Sequence, residues 1–450
     1  MEISGVIGVL VRAGVAWYCA PDFLAFSAGS VRLWAWMSSP PGVQGFVRVE
    51  EVVVPGAATP DTLKARVKAE VDRLAPELLD VSQFLHANPE LAYEECKAVE
   101  RLTAALERHG FAVARGVAGL STAFTGRFGS GRPRITFLAE YDALPGLGHA
   151  CGHNLIGTAS LGAALAVKAT LAPGGGEVLL VGCPAEEKGG GKIPLVEAGV
   201  FAGTDAAMLV HPSNRTEMVK LALGMREIVV EYFGKASHAA VSPDLGVNAL
   251  DAVVLAYTGI SVLRQQVRSD ARIHGIITHG GQAPNIIPDY AAARFYVRAL
   301  DLGYLEELTP RVVRCFEAAA QATGCRVKVA FPGLTYHPYK PVYTLASLFQ
   351  RNLESLGEAV DQGPVDKGVG STDVGNVSQV VPTIQPMLQI SPCGVTCHMA
   401  AFAEAAISER GQRAMLLAAK AMAMTAVDLL AQPDSLTQVA AEFRGKASGV

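Results

Sequence analysis

The sequence predicts an α/β protein built on a doubly wound, mostly parallel mixed sheet, with a second, ferredoxin-like unit inserted into it. From about residue 60, apolar strand-like runs alternate with segments of helical periodicity. Between residues 226 and 335 the order changes to β-α-β-β-α-β, the split βαβ pattern. The chain has 450 residues, half of them hydrophobic and 46 of them Gly, which is enough for two or three domains with a large core.

The main sheet draws its first elements from the segment that begins near residue 60. The break Asn88-Pro89-Glu90 separates two stretches of helical periodicity. These stretches are followed by three apolar runs that read as buried strands, with a further helix between the first two. The predicted helices cover residues 63–86, 96–109 and 155–171, and the predicted strands cover 135–140, 178–181 and 206–210.

The inserted unit has four predicted strands and two helices, and the chain then returns to the main sheet. The strands cover 228–233, 272–278, 291–300 and 326–331, and the helices cover 248–267 and 305–323. An alanine-rich helix near 408–431 ends the sheet domain. We therefore predict an extension at 1–59, a main domain that carries the sheet at 60–225 and 336–432, an inserted domain at 226–335, and a tail at 433–450.

Residues 1–59 contain no candidate functional residue. Residues 3–20 are apolar but carry Arg12, and the early charge Glu2 has the wrong sign for a signal peptide. We expect a disordered or non-native extension, with Met37 as an alternative initiator, rather than a secretion signal or a membrane anchor.

Composition excludes some partners and favours one compartment. The net charge is −4 and no Lys/Arg cluster occurs, so we expect no nucleic-acid or membrane partner. Eight cysteines are too few for a disulfide scaffold in a chain of this length, which favours a reducing, cytoplasmic location.

Metal-ligating side chains follow each of the three predicted strands. Cys151 and His153 follow the first, Glu186 and Glu187 the second, and His211 the third. The carboxyl ends of such strands meet at one edge of the sheet, where ligands bind, and a Cys with a His suits Zn²⁺. Glu186-Glu187 also fits a solvated pair, but the glycine run at 189–191 leaves room for a substrate.

Four motifs resemble the amidohydrolase branch of the aminoacylase and zinc-carboxypeptidase superfamily, which includes hydrolases of hippurate and of indole-acetyl amino acids. They are HANPELAYEE at 86–95, LAEYDALP at 138–145, HACGH at 149–153 and PAEE at 184–187.

Three further segments resemble the subgroup of β-alanyl-lysine dipeptidases, which act on Xaa-Lys/Arg dipeptides. They are GKASH at 234–238, GGQAPNIIP at 280–288 and GSTDVGNVS at 370–378, and the likeness spans residues 61–432. The resemblance implies a zinc-exopeptidase-like catalytic domain with an inserted lid and dimerisation domain.

The resemblance also implies a centre of two divalent ions, zinc first, with Mn or Co as alternatives. Glu186 is implied as the general base and Asp142 as the acceptor that orients a histidine ligand. Cys151 is implied as the bridging ligand, and the implied set is completed by His153, His211, Glu187 and His398. His149 is not expected to bind metal. From the residues alone, Cys393 and Cys397 read as small buried apolar side chains.

In relatives, the residue equivalent to His238 reaches the partner subunit's active site, which implies a homodimer through the lid. Asn285 is implied as a contact of the substrate carboxylate or scissile carbonyl. We also expect Arg298 to pair with a substrate carboxylate, with a surface ion pair as the alternative. Asp373 is the carboxylate we place near a basic substrate side chain.

One departure from the family pattern follows His398. Relatives commonly have Thr or Ser and then an acid there, whereas this chain has Met399-Ala400. We expect a hydrogen bond to that ligand to be missing.

The predicted activity is hydrolysis of small dipeptides that have a free carboxylate and a basic C-terminal residue. The first alternative is an aminoacylase that acts on N-acyl or aryl conjugates of amino acids. Two other classes stay open: a thiol hydrolase with Cys151 as nucleophile, and a metal-free binding protein disabled at Met399-Ala400.

Overall fold

A computed structural model describes residues 24–27, 30–38, 44–53, 59–361 and 370–445. In the N-terminal extension it places strands β1 (Leu24–Ser27), β2 (Ser30–Ser38) and β3 (Gln44–Val53). They form an antiparallel sheet of their own in the order β1-β2-β3. These three ranges therefore have regular secondary structure, and the other residues of the extension lie outside the described part.

The main sheet has six strands in the order β14-β8-β6-β7-β5-β4. Strands β6, β7, β8 and β14 run parallel, and β5 and β4 add an antiparallel edge, so the sheet is mixed as predicted. The strands are β4 (Ala112–Arg115), β5 (Phe124–Ser130), β6 (Arg134–Glu140), β7 (Gly176–Cys183), β8 (Ala206–Met208) and β14 (Thr383–Ile384).

Helices surround this sheet, and their ends follow local sequence signals. Helix α1 begins at Pro60, where the hydroxyl of Thr59 accepts a hydrogen bond from the Thr62 amide. Helix α3 is buried along almost its whole length and contacts β6, β7 and α1. The helices are α1 (Pro60–Ala87), α2 (Cys96–Arg108), α3 (His153–Lys168) and α4 (Lys192–Glu197).

The lid is a four-stranded antiparallel sheet in the order β11-β12-β10-β13, with two helices and its own apolar core. The side chain of Asn248 caps α5, and Gly324 ends α6 in the left-handed conformation. The chain order is β-α-β-β-α-β, as the sequence predicted. The elements are β10 (Gly224–Phe233), α5 (Ala249–Leu263), β11 (Arg272–His279), β12 (Tyr290–Ala299), α6 (Leu302–Thr323) and β13 (Arg326–Ala330).

The remaining elements return to the catalytic domain. Strands β9 (His211–Ser213) and β15 (Met387–Gln389) pair in parallel beside the main sheet. The helices are α7 (Tyr343–Ser355), α8 (Val374–Val380), α9 (Ala400–Ala405), α10 (Glu409–Ala431) and α11 (Pro433–Gly445). Among the described helices, only α10 is long and apolar enough to cross a membrane, and 83% of its most apolar stretch is buried inside the protein.

Candidate metal centre

Cys151 and His153 project from a tight turn between β6 and α3. Gly152 lies between them with φ +77°, in the left-handed region that favours glycine. A Cβ atom at Gly152 would lie 2.4 Å from Cγ of Pro212, so the turn needs glycine for space as well. The thiol and the imidazole therefore sit together at the carboxyl edge of the sheet.

Asp142 connects His153 to Glu187. One carboxylate oxygen of Asp142 lies 2.9 Å from Nδ1 of His153, and the other accepts a hydrogen bond from the Glu187 amide at 3.0 Å. Burial opposes ionisation of Asp142, but the charge and hydrogen bond of His153 outweigh it and lower its pKa. With Nδ1 held by a carboxylate, Nε2 of His153 is left to bind a metal, which is the role predicted for this pair.

His211 is oriented by its own neighbour in the chain. Its Nδ1 donates a hydrogen bond to the carbonyl of Pro212 at 2.7 Å, so Nε2 is the unprotonated nitrogen. That Nε2 lies 3.5 Å from Sγ of Cys151. The rings of His153 and His211 meet edge to face, with centroids 6.1 Å apart.

His398 reaches the same place from the C-terminal part of the chain. Its φ is +70°, an unusual conformation for a residue other than glycine, and its amide donates to the carbonyl of Ala150 at 2.9 Å. Its Nε2 lies 3.2 Å from Oε2 of Glu187. Burial opposes ionisation of Glu187, but the hydrogen bond from His398 outweighs it and lowers the pKa. A strained backbone at His398, whose side chain is a candidate ligand, is consistent with a functional constraint on this residue.

Three overlapping groups of side chains each bring three donor atoms within 4.8 Å of one another. They are Cys151, His153 and His211; Cys151, Glu187 and His398; and His153, Glu186 and Glu187.

Two of these donor atoms, Nε2 of His153 and Oε1 of Glu187, are buried without a hydrogen-bond partner. Buried polar atoms normally have a partner. A set of sulfur, imidazole and carboxylate donors with unsatisfied atoms facing each other fits divalent zinc.

Glu186 lines the cleft in front of this cluster. The cleft is open to solvent and has a volume of about 250 Å³, and Cys151, Glu187, His211 and His398 also line it. Burial raises the pKa of Glu186, and the carboxylates of Glu140 and Asp373 raise it further. A carboxylate with a raised pKa beside a candidate metal ligand fits the predicted general base.

Asp373 does not face a substrate, which corrects our prediction for this residue. Its side chain is fully buried and lies 2.6 Å from Nζ of Lys192, which also lies 2.7 Å from Oε1 of Glu140. All three groups are inaccessible to solvent, so Asp373 pairs with Lys192 in the protein interior and does not contact substrate. Lys192 directly follows the glycine run at 189–191, which places it near the site in sequence but does not show that it is buried with Asp373.

The two predicted lid residues lie side by side and point to solvent. Both are exposed, and the Ala239 amide donates to the Asn285 carbonyl at 2.9 Å. The amides of Ala240 and Val241 donate to Nδ1 of His238 at 3.3 and 3.2 Å, so the proton of the neutral ring is on Nε2. Neither His238 nor Asn285 lines the cleft that holds the candidate ligands.

Arg298 sits between the lid and the catalytic domain. Its Nη1 donates to Oγ of Ser371, a cleft residue, at 3.2 Å, and its Nε is buried without a partner. Burial lowers the pKa of Arg298. No described carboxylate lies within ion-pair distance, which removes the alternative of a surface ion pair over the described ranges.

The last motif differs from our interpretation at Cys393, which is exposed and not a buried apolar side chain. Cys397 is partly buried against the main apolar core, and it also lines the cleft. Met399 follows the candidate ligand His398 and is exposed, and its sulfur lies 3.4 Å from the Thr396 amide. His149 is buried against His86, with ring centroids 6.2 Å apart, and takes no part in the donor groups.

Comparison with known proteins identifies the family. The chain is 43% identical to the Xaa-Arg dipeptidase of Mus musculus over 88% of its own length and 96% of the relative's length. The identity to the Homo sapiens Xaa-Arg dipeptidase is 41%, over 87% and 94% of the two chains. The chain belongs to the M20 peptidase family. Within it, the chain falls in the amidohydrolase branch, and it is a hydrolase of peptide or amide bonds.

Two further comparisons agree with this M20 membership. The family model described as the peptidase dimerisation domain matches residues 223–323, within the lid. A dinuclear metal-binding M20 peptidase from Bacillus subtilis shares the fold, with a TM-score of 0.60, 20% identity, and coverage of 80% of this chain and 99% of that one. The catalytic sheet with an inserted lid is thus the fold of the family.

Proposed function

We propose that this M20 enzyme hydrolyses small dipeptides that have a free carboxylate and a basic C-terminal residue. The observation that carries the proposal is the cluster of Cys151, His153, His211, Glu187 and His398 around a cleft that also holds Glu186. The similarity to two Xaa-Arg dipeptidases over nearly nine-tenths of the chain supports the substrate class.

The donor cluster would hold two divalent ions, zinc first. Cys151 would bridge them because it belongs to two of the donor groups, one with His153 and His211 and one with Glu187 and His398. When bound, such ions lower the pKa of a coordinated water and polarise the carbonyl of the scissile amide. Manganese or cobalt could occupy the same donors, although the thiol favours zinc.

Glu186 would take the proton from the attacking water and pass it to the leaving amine. Its side chain lines the cleft, and its raised pKa makes it a stronger base than an ordinary carboxylate. Asp142 would hold His153 in the tautomer that presents Nε2 to the metal.

The lid would complete the site from a second copy of the chain. Strand β11 is at the edge of the lid sheet, the position at which a sheet can add a strand from another chain. Large apolar side chains are exposed on α5 and β11: Val254, Leu255, Val262, Ile276 and Ile277. This surface supports a homodimer, in which His238 would donate Nε2–H to the developing oxyanion of the partner's substrate and Asn285 would contact the substrate.

Hydrolysis of N-acyl or aryl amino acid conjugates is the second candidate. The chain is 32% identical to a p-aminobenzoyl-glutamate hydrolase chain of Escherichia coli over 78% of its length. It is also 30% identical to an IAA-amino acid hydrolase of Arabidopsis thaliana over 61% of its length. Those relatives share the branch, so conjugates belong in any substrate screen.

A thiol hydrolase is less well supported. Contact with Cys397 and then burial raise the pKa of the Cys151 thiol, whereas a nucleophilic cysteine needs the opposite shift. The cytoplasmic location stays a proposal, supported by the free thiols of the seven described cysteines.

A substrate panel tests the proposal directly. The purified, metal-loaded protein is assayed with Xaa-Lys and Xaa-Arg dipeptides, neutral and acidic dipeptides, and acyl and aryl conjugates of amino acids. We expect kcat/KM to be highest for the basic dipeptides. A preference for conjugates would favour the second candidate, and activity unaffected by a chelator would contradict the metal-dependent mechanism.

A further inference from the structure

We propose that Lys220 binds the terminal carboxylate of the substrate and so makes the enzyme selective for free C termini. The inference rests on the proposed function and adds a specificity residue to it.

Lys220 differs in charge from its surroundings. It is the one Lys or Arg among the described residues that line the cleft, in which the acids are Glu186 and Glu187. Within the described part of the chain, no carboxylate lies within ion-pair distance of its ammonium group, whereas Glu187 is engaged by His398. Lys220 therefore contributes a positive charge that has no carboxylate partner among the described residues.

The backbone on both sides of Lys220 is fixed. Before it, Glu217 and Met387 exchange two backbone hydrogen bonds, at 3.0 and 2.7 Å. After it, the Leu223 amide donates to the Gly370 carbonyl at 2.8 Å. The backbone that carries Lys220 is thus held on both sides at the wall of the cleft, and the side chain is the part that must become ordered when it binds an anion.

The proposed substrate has one group that can pair with the ammonium of Lys220. A dipeptide with a basic C-terminal residue carries positive charge on its amino group and on its side chain, and its only negative group is the terminal carboxylate. That carboxylate is one residue from the scissile carbonyl, and one residue spans about 3.8 Å. With the carbonyl beside Glu186, the carboxylate therefore falls within the same cleft, where it meets Lys220.

Arg298 is the competing anchor, since its Nη1 contacts the cleft residue Ser371. Arg298 is, however, set back behind Ser371 and does not itself line the cleft. Both cations are therefore compared in one experiment.

The experiment measures kcat and KM for alanyl-lysine and for its C-terminal amide. The variants are Lys220→Met, Lys220→Arg and Arg298→Met. Lys328→Met serves as the matched control, because Lys328 is an exposed lid residue paired with Glu231 at 3.1 Å.

We expect the Lys220→Met variant to lose roughly 10- to 100-fold in kcat/KM for the free acid, mainly through KM, and to be unchanged with the amide. Lys220→Arg should keep most of the preference for the free acid, and the control should equal wild type. Calorimetry with free lysine should show weaker binding to the metal-loaded Lys220→Met protein, independently of turnover.

Three outcomes would overturn the assignment. One is an unchanged preference for the free acid in Lys220→Met. Another is an equal loss with acid and amide, which indicates a structural role. The third is loss of the preference in Arg298→Met alone. If the metal-loaded wild type cleaves no dipeptide, both the proposed function and the proposed role of Lys220 are wrong. If it does cleave dipeptides, these three outcomes contradict only the role of Lys220.

Discussion

The metal centre and the lid pair carry similar residue types but are built in opposite ways. At the centre, Asp142 lies within hydrogen-bond distance of both His153 and the Glu187 amide, in a buried network within one chain. On the lid, His238 and Asn285 are exposed, and the hydrogen bonds found for them in the described part of the chain are with neighbouring lid backbone. The centre is preorganised by the fold, whereas the role that we propose for the lid pair requires a second chain. Variants at the two places should therefore fail in different ways.

The largest effect is expected for Cys151→Ala. Removing the shared thiol leaves both sets of donors incomplete, so activity should fall below detection and less than the full metal complement should bind. Elemental analysis and turnover are measured on the same sample. An active variant with about two ions per chain would refute Cys151 as the bridge.

Glu186→Gln should separate the base from the ligands. The change keeps shape and removes the proton acceptor, so turnover should drop on the order of 10²-fold or more while metal content and fold are kept. Circular dichroism and elemental analysis are the controls. Turnover close to wild type would exclude Glu186 as the base.

His238→Ala tests the proposed role of the lid pair. Loss of one oxyanion donor should lower kcat by about 10²- to 10³-fold and change substrate binding little. Mixed with Glu186→Gln under conditions of subunit exchange, it should form heterodimers in which one site has both groups intact. Random pairing makes about half of the dimers mixed, so activity should return.

The control in this experiment is mass analysis, which confirms exchange. If heterodimers form and no activity returns, His238 acts within its own chain or only supports the lid.

Asp142→Asn should have a smaller effect. An amide at this position still fills the space but holds the tautomer of His153 less firmly, so metal affinity should fall about 10- to 100-fold. Competition with a chelator measures the affinity. An affinity equal to wild type would show that His153 is oriented by packing alone.

The mildest test is the pH profile of kcat/KM. Because burial raises the pKa of Glu186, the base becomes protonated, and activity is lost, as pH falls through a value above the ordinary 4.5. The acid limb of the profile should therefore lie above pH 4.5 and disappear from the residual activity of Glu186→Gln. An acid limb retained in that variant would assign it to another group.

Sequence reasoning predicted the candidate cluster because its donors follow parallel strands, whose carboxyl ends share an edge. Cys151, His153, Glu186, Glu187 and His211 were all placed by that rule, and the structure brings them together.

The same reasoning misplaced Asp373. Its partner Lys192 lies 181 residues away in sequence, and no local pattern shows that two charges will be buried together. Cys397 and Lys220 were missed for a related reason. Which side of a loop faces a cleft depends on contacts with other segments, and a single residue type in an irregular stretch carries no periodicity to reveal them.

The return of the chain to the centre after the lid has a consequence for folding. The side chain of Asn154 donates to the carbonyl of Ala406, 252 residues later, and the His398 amide donates to Ala150 nearby. The centre thus joins two segments separated by the whole lid, so it forms only after the chain has closed a very long loop. Metal that binds only this closed state adds to the free energy of unfolding in proportion to the logarithm of its concentration. Metal binding at the centre should therefore stabilise the association of the two halves of the catalytic domain.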